Sequence, residues 1–356
     1  MNFNGKRILI IKPSSLGDVV HTLPVAHAIK RCYPASHIGW IIQKTFTPII
    51  EHDPAVDELI PIHIPSTSDP KANRGAYYQA FKATLSTITE LRRRFAIKPY
   101  DFVLDLHASF RSGLLALTNP GGMRIGFAEA KELNPLFQHK KLATNPDKHH
   151  AVDKNIVFAN FLECPPEPQD FHVFVSGQAR NKVHEFLSKK GITDSDIVVY
   201  ANPAARWETK FWTVPAWAEL ADMLVKHNNI FVVFAGSPQD VHYIEQITKN
   251  VKTRVVSAAG KLNLAEAVAL IERANVYVGV DSGPMHIAAF TGTPVVALFG
   301  PTEPDKVGPY GHGHKVITLD DLDCLGCRKR QCSDRQCLET MSPSTVYEAT
   351  LNQLGL

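Results

Sequence analysis

Residues 276–301, VYVGVDSGPMHIAAFTGTPVVALFGP, constrain the fold of this chain more than any other stretch. Val276–Val280 and Val295–Phe299 are short β-branched runs, and the segment between them has the length and ends of one helix. Gly283 suits the N-cap, and Pro284 fits the first helical position, where its missing N–H costs nothing. Gly292 stops the helix. Strand, helix and strand in this order predict a parallel pair with the helix N-terminus at the C-terminal edge of the sheet. Free amides and the helix dipole there suit a phosphate. Asp281, at the end of the first strand, only accepts hydrogen bonds when ionised, which suits sugar hydroxyls. His286, one turn into the helix, faces the same mouth. The arrangement fits a nucleotide-linked sugar; an ordinary βαβ crossover with a polar turn would show the same pattern.

The rest of the chain repeats the theme. In the first half RILIIK (7–12), HIGWIIQ (37–43), ELIPIHI (58–64) and DFVLDL (101–106) read as strands of a doubly wound α/β sheet, alternating with helical segments. Pro24 kinks or starts the first helix. The amphipathic segment from Tyr77 to Phe95 ends in three arginines. Functional groups in such sheets collect beyond the carboxyl ends of strands. Lys12, Ser14, Ser15 and Asp18 lie at the first such end. The loop is not G-x-G-x-x-G, so a dinucleotide fingerprint is absent, and Asp18 also reads as a helix cap. Lys71, Arg74, Arg124, Lys131, His139, Lys140 and Lys141 are loop cations that would suit an anionic acceptor if gathered on one rim, or form a scatter of solvated charge.

Three prolines within Cys164–Asp170 mark a stiff linker. They divide the chain into residues 1–164, residues 171–341 and a final amphipathic helix within 342–356. In the second half DIVVYAN (196–202) runs into a loop with Arg206, Trp207 and Lys210, where a lysine would meet phosphate as a point charge. FVVFAGSPQD (231–240) carries Gly236, and Gly260-Lys261-Leu262 precedes another helix.

At 356 residues the chain is long for one core. A net charge of +3 gives no strong sign of nucleic-acid binding. The N-terminus enters a strand directly and no apolar run is long enough for a bilayer, so a cytoplasmic protein is expected. Six cysteines are then expected reduced or metal-bound, with Cys32 and Cys164 as buried thiols. Cys324, Cys327, Cys332 and Cys337 have the spacing C-x2-C-x4-C-x4-C. This permits a structural zinc site and equally a reduced loop.

KPSSLGDVVHTLP, the KFW that contains Lys210, GKL and VDSGPMHIAAFTGTPVVALFGPT together resemble the ADP-heptose:lipopolysaccharide heptosyltransferases of glycosyltransferase family 9. The resemblance runs over nearly the whole chain. It implies a GT-B fold, two Rossmann-like domains facing each other across a cleft, with the last helix crossing back onto the first domain. It implies an inverting transferase that needs no metal for chemistry, with ADP-heptose as donor and Kdo-lipid A or inner-core lipopolysaccharide as acceptor. Asp18 would be the base. Lys210, with Arg206, would sit on the donor phosphates. Asp281 would contact the donor sugar, and Ser282, Gly283 and His286 the diphosphate, with Gly236 and Leu262 also at the donor. Lys12, Ser14, Ser15, Lys71, Arg74 and Lys131 would serve the acceptor. Peripheral contact with the cytoplasmic face of the inner membrane would follow, with no nucleic acid. Two other readings remain: a related transferase with another sugar or acceptor, and a zinc-bearing nucleic-acid-binding protein.

Overall fold

In the computed structural model, which describes residues 3–65, 74–227 and 229–356, the β-branched runs form two sheets. The chain divides into one unit of Met1–Phe174 and another of Val175–Leu356. In the first, the strands are β1 (Arg7–Ile11), β2 (His37–Gln43), β3 (Glu58–Ile62), β4 (Phe102–Asp105), β5 (Met123–Phe127) and β6 (Lys140–Leu142). In the second they are β7 (Ile197–Asn202), β8 (Ile230–Phe234), β9 (Val256–Ser257), β10 (Val276–Val280), β11 (Val295–Leu298) and β12 (Lys315–Ile317).

Among the described residues both sheets are parallel throughout. The orders are β3-β2-β1-β4-β5-β6 and β9-β8-β7-β10-β11-β12, so the two sheets have the same topology. In each, the chain winds outward from the first strand, then returns to build the other side. The reversal opens a crevice beside the first and fourth strands, where ligands of doubly wound sheets bind. Helices must cover both faces of such sheets, which is why β1, β7 and β10 are almost wholly apolar and buried.

Local chemistry sets the details. The segment after β1 breaks into two helices, Leu16–Val20 and Leu23–Cys32, with Pro24 in the first turn of the second. Gly39 of β2 has no side chain because the Tyr100 ring occupies that space. The Tyr100 hydroxyl then donates to Glu58 at 2.7 Å. Glu58 also receives Arg7, His37 and Arg94 at 2.7–3.0 Å, tying β3 to its neighbours.

Several expectations need correction. Arg124, Lys140 and Lys141 are not loop residues, because β5 and β6 extend the first sheet. Arg124 is tied to Phe137 O and His139. The division between the units falls at Phe174, just past the proline-rich segment. Buried Asp170 explains this: its carboxylate takes the Arg31 guanidinium at 3.0 Å, and its carbonyl meets His27 Nδ1 at 2.7 Å. Cys32 and Cys164 are not separate thiols but a disulfide, their Cα atoms 6.1 Å apart where the Leu23–Cys32 helix meets the end of the Ala151–Phe161 helix. The last helix, Pro343–Leu354, packs on the Val214–Leu224 helix and on β10–β12. Its apolar face, through Val346 and Ala349, is part of the second core.

Candidate active site

In the first unit the candidate residues stand at the ends of β1 and β4. The chain leaves β1 through Lys12, Pro13 and Ser14, and Ser15 caps the short Leu16–Val20 helix. Asp18 closes the capping box: its Oδ2 accepts from the Ser15 amide at 2.9 Å and the Ser15 hydroxyl at 2.6 Å. Its Oδ1 lies 3.7 Å from Lys12 Nζ. The two roles weighed for Asp18, cap and reactive carboxylate, are therefore compatible. Burial pushes its pKa up, but the Lys12 charge and the Ser15 hydroxyl outweigh this, and the group stays well below the usual carboxylate range. Lys12 is buried and donates to Leu106 O at 2.7 Å. It is an internal counter-charge and not a surface cation.

Asp105, at the end of β4, organises the opposite wall. It is fully buried. Oδ1 accepts from the amides of His107 and Ala108, both at 3.1 Å. Oδ2 accepts from Ser112 Oγ at 3.0 Å, Asn134 Nδ2 at 2.7 Å and Gln138 Nε2 at 3.1 Å. The turn so fixed carries His107, whose pKa is lowered by burial and then by Lys12, so it is neutral at pH 7. The sequence marks His107 as a polar residue at this strand end, but neither it nor Asp105 is among the site residues read from sequence. The available signal was the strand end itself, a buried carboxylate followed by a histidine.

In the second unit the residues converge where β7 and β10 lie side by side. Gly279 leaves room for the Tyr277 ring to fold along β10. The Tyr277 hydroxyl thereby comes within 3.3 Å of Ser282 Oγ, and Asn202 Nδ2, at the end of β7, lies 3.0 Å from the same oxygen. Ser282, and not Gly283, is the N-cap of the Gly283–Thr291 helix. Its side chain makes no capping bond, since it is turned toward Asn202 and Tyr277. Gly292 ends the helix at φ 77°. His286 is buried in the first turns.

Lys210 ends the short 3-10 turn Glu208–Lys210. Its ammonium is ion-paired with the Asp281 carboxylate and 3.4 Å from the Asp281 carbonyl. It also stands 4.8 Å from the centre of the Trp207 ring, which Arg330 approaches at 4.9 Å. Thr302, after β11, donates to Asp281 Oδ2 at 2.6 Å. The sequence reading treated Lys210 and Asp281 as separate contacts for phosphate and sugar. The structure makes them one unit, so a phosphate reaching the ammonium competes with a carboxylate already there.

Arg206 is exposed. Gly236 and Leu262 follow β8 and β9, across β7 from β10, and the Gly236 carbonyl accepts the Gly260 amide at 3.1 Å. Ser14 is half-buried and Lys131 exposed. Lys71 and the Arg74 side chain lie outside the described residues.

The cysteine-rich segment braces the second site. Gly326 and Arg328 amides bond to the carbonyls of Gly300 and Pro301, at 3.0 and 2.7 Å. Thr209 Oγ1 donates to Lys329 O at 3.0 Å, and Arg335 donates to Glu208 O at 3.0 Å. The segment thus holds both the turn that carries Lys210 and the strand exit that carries Thr302. Cys324, Cys327, Cys332 and Cys337 are free thiols. Burial, followed by the neighbouring three cysteines, pushes the Cys337 thiol up. Among the described residues no group of three or more His, Cys, Asp or Glu side chains stands ready to hold a metal ion.

Comparison with known proteins adds to this geometry. Residues 88–338 match the family model described as glycosyltransferase family 9 (heptosyltransferase). The chain is 28% identical over 320 residues to a lipopolysaccharide core heptosyltransferase, OpsX, of Haemophilus influenzae, covering 88% of this chain and 84% of that protein. It is 27% identical over 338 residues to lipopolysaccharide heptosyltransferase 1 of Pseudomonas aeruginosa, covering 92% and 87%. The crystal structure of a family 9 glycosyl transferase from Veillonella parvula superposes with a TM-score of 0.81 at 27% identity, covering 99% of this chain and 98% of that one.

Proposed function

The chain belongs to glycosyltransferase family 9, and on that premise we propose that it moves a heptose from ADP-heptose to the Kdo or inner-core region of lipopolysaccharide. The observation that carries the proposal is the recurrence of a lysine beside a carboxylate at strand ends of each sheet: Lys12 with Asp18 after β1, and Lys210, in the loop after β7, with Asp281 at the end of β10. The relatives named above, both lipopolysaccharide heptosyltransferases, supply the sugar and acceptor class.

The roles divide by charge. An acceptor hydroxyl attacks the anomeric carbon of the donor sugar as the bond from that carbon to the β-phosphate oxygen breaks. The configuration inverts, and the hydroxyl proton passes to Asp18 as general base. Asp18 is ionised at neutral pH because Lys12 and Ser15 stabilise its charged form. ADP departs with added negative charge, which Lys210 and the amides at the start of the Gly283–Thr291 helix stabilise without a metal. Asp281 orients Lys210 and offers acceptor oxygens to the sugar. Ser282, Gly283 and His286 line the diphosphate, with Arg206, Gly236 and Leu262 around the rest of the nucleotide. Ser14, Ser15, Lys71, Arg74 and Lys131 serve the acceptor. Among the described residues no helix is long and apolar enough to cross a membrane; the protein meets its lipid-linked acceptor as a peripheral protein at the cytoplasmic face of the inner membrane.

A nucleotide-sugar panel tests the proposal. ADP-heptose should raise the melting temperature more than ADP-glucose, UDP-glucose or GDP-mannose, since a ligand at a hundred times its Kd stabilises the fold by about 2.7 kcal/mol. Mass spectrometry should then find one heptose added to a Kdo-bearing acceptor. Stabilisation by another nucleotide sugar, with transfer of that sugar, would replace the donor assignment.

A further inference from the structure

We propose that the outward face of the Arg74–Ile97 helix is the surface by which this protein docks on an anionic phospholipid bilayer. The proposal rests on the reading of a lipid-linked acceptor and adds where the contact is made.

The helix has 24 residues and packs on the first sheet through Ala80, Thr84, Leu91 and Phe95. Its opposite side is unusual for a solvated helix. Tyr78 is 69% exposed, Phe81 62% and Leu85 50%. At 3.6 residues per turn Tyr78, Phe81 and Leu85 fall within about a fifth of the circumference. Lys82 and Arg93 border that stripe and Arg92 continues its line further along the helix; all three are exposed. Arg94, on another side of the helix, pairs with Glu58. The acid of this helix, Glu90, lies beyond Arg93 and outside the arc with the aromatic residues, so that arc carries cations and no carboxylate.

Aromatic and leucine side chains on one arc, bordered by lysine and arginine, are the pattern of a helix lying in a membrane interface. Tyrosine suits the headgroup level, with an apolar ring and a polar tip. The charges select the occupant. A second copy of the same face would set Lys82, Arg92 and Arg93 against like charges, whereas anionic headgroups neutralise them.

The test uses vesicles without acceptor, so it does not depend on the transfer reaction. The full-length protein is floated with phosphatidylglycerol-rich and with phosphatidylcholine vesicles. Wild type should partition at least about tenfold better into the anionic vesicles, and less so as salt rises. A Tyr78→Ser/Phe81→Ser/Leu85→Ser variant and, separately, an Arg92→Glu/Arg93→Glu variant should each lose about tenfold or more of that binding. Both should keep wild-type melting temperature and wild-type turnover on a deacylated, water-soluble acceptor. Wild type that stays off anionic vesicles while remaining active overturns the docking surface and leaves the transferase intact. Binding equal in wild type and both variants also overturns it. So does a lipid-free dimer that the triple serine variant converts to monomer, since the stripe would then be an interface between copies.

Discussion

Lys210→Met leaves the Asp281 carboxylate without its ammonium in a place that water reaches poorly. The two side chains are 15% and 6% exposed. Among the described residues, the Thr302 hydroxyl is the donor that remains on the Asp281 carboxylate. Removing one partner of a buried ion pair costs about 3–5 kcal/mol. The Thr302 bond and the partly exposed lysine favour the lower end, about 3 kcal/mol. For a folding unit of this size each 1 kcal/mol moves the melting temperature by about 2–4 °C, so calorimetry of the full-length variant should show the transition of the second unit lowered by about 6–12 °C. Asp281→Asn should cost less, because the more exposed ammonium can turn to water. The double variant Lys210→Met/Asp281→Asn should recover most of the loss, since neutral groups of similar shape replace a buried pair at little cost. ADP affinity separates stability from function. It should fall by about tenfold or more in both variants that lack Lys210, and the double variant should not restore it. Single variants that melt with wild type would refute the coupling. Unchanged ADP binding in Lys210→Met would refute the phosphate role.

Other outcomes follow from the same geometry. Asp18→Asn should keep donor affinity and lower turnover by about two to four orders of magnitude, read as a drop in kcat at saturating donor. Glu58 has its carboxyl pushed up by burial but held at about 2 by His37, Tyr100, Arg94 and Arg7, against an ordinary value of 4.5. A depressed folded-state pKa contributes stability above the unfolded value and loses it as pH falls toward the folded one. Glu58→Gln should therefore lower the urea midpoint at pH 7, and the gap from wild type should close between about pH 4.5 and pH 2. EDTA should leave transfer unchanged, and thiol titration of the native protein should find Cys337 slower than the exposed Cys324, Cys327 and Cys332. Loss of activity on chelation, restored by one metal, would make the cysteine segment a metal centre.

Periodicity made β1–β4, β7, β8, β10 and β11 legible, because strands buried on two faces need unbroken apolar runs. It missed β5, β6 and β12: Met123–Phe127 carries an arginine, and the other two are three-residue edge strands that begin with lysine. The places of Asp18 and Asp281 beyond strand ends were legible, because the apolar runs before them mark where those strands stop. Their partners were not, since Lys12 with Asp18 and Lys210 with Asp281 are contacts made by loop conformation. The bracing of Lys210 by residues 326–335 was hidden for the same reason: it rests on backbone carbonyls, and any sequence can supply those. Helix caps were legible only to within a residue, as Ser282 in place of Gly283 illustrates.

The identical strand order of the two sheets bears on how such a protein can change. Each sheet carries its own lysine and carboxylate on its own loops, and each loop is stabilised by neighbours from the same unit. Substitutions after β4 or β5 can reshape the groups around Asp18 without touching the bonds that hold Lys210, and substitutions after β8 or β11 can do the reverse. Sites that share no partners contribute nearly additively. On the proposed function the acceptor task falls to the first sheet and the donor task to the second, so each can be retuned without rebuilding the other.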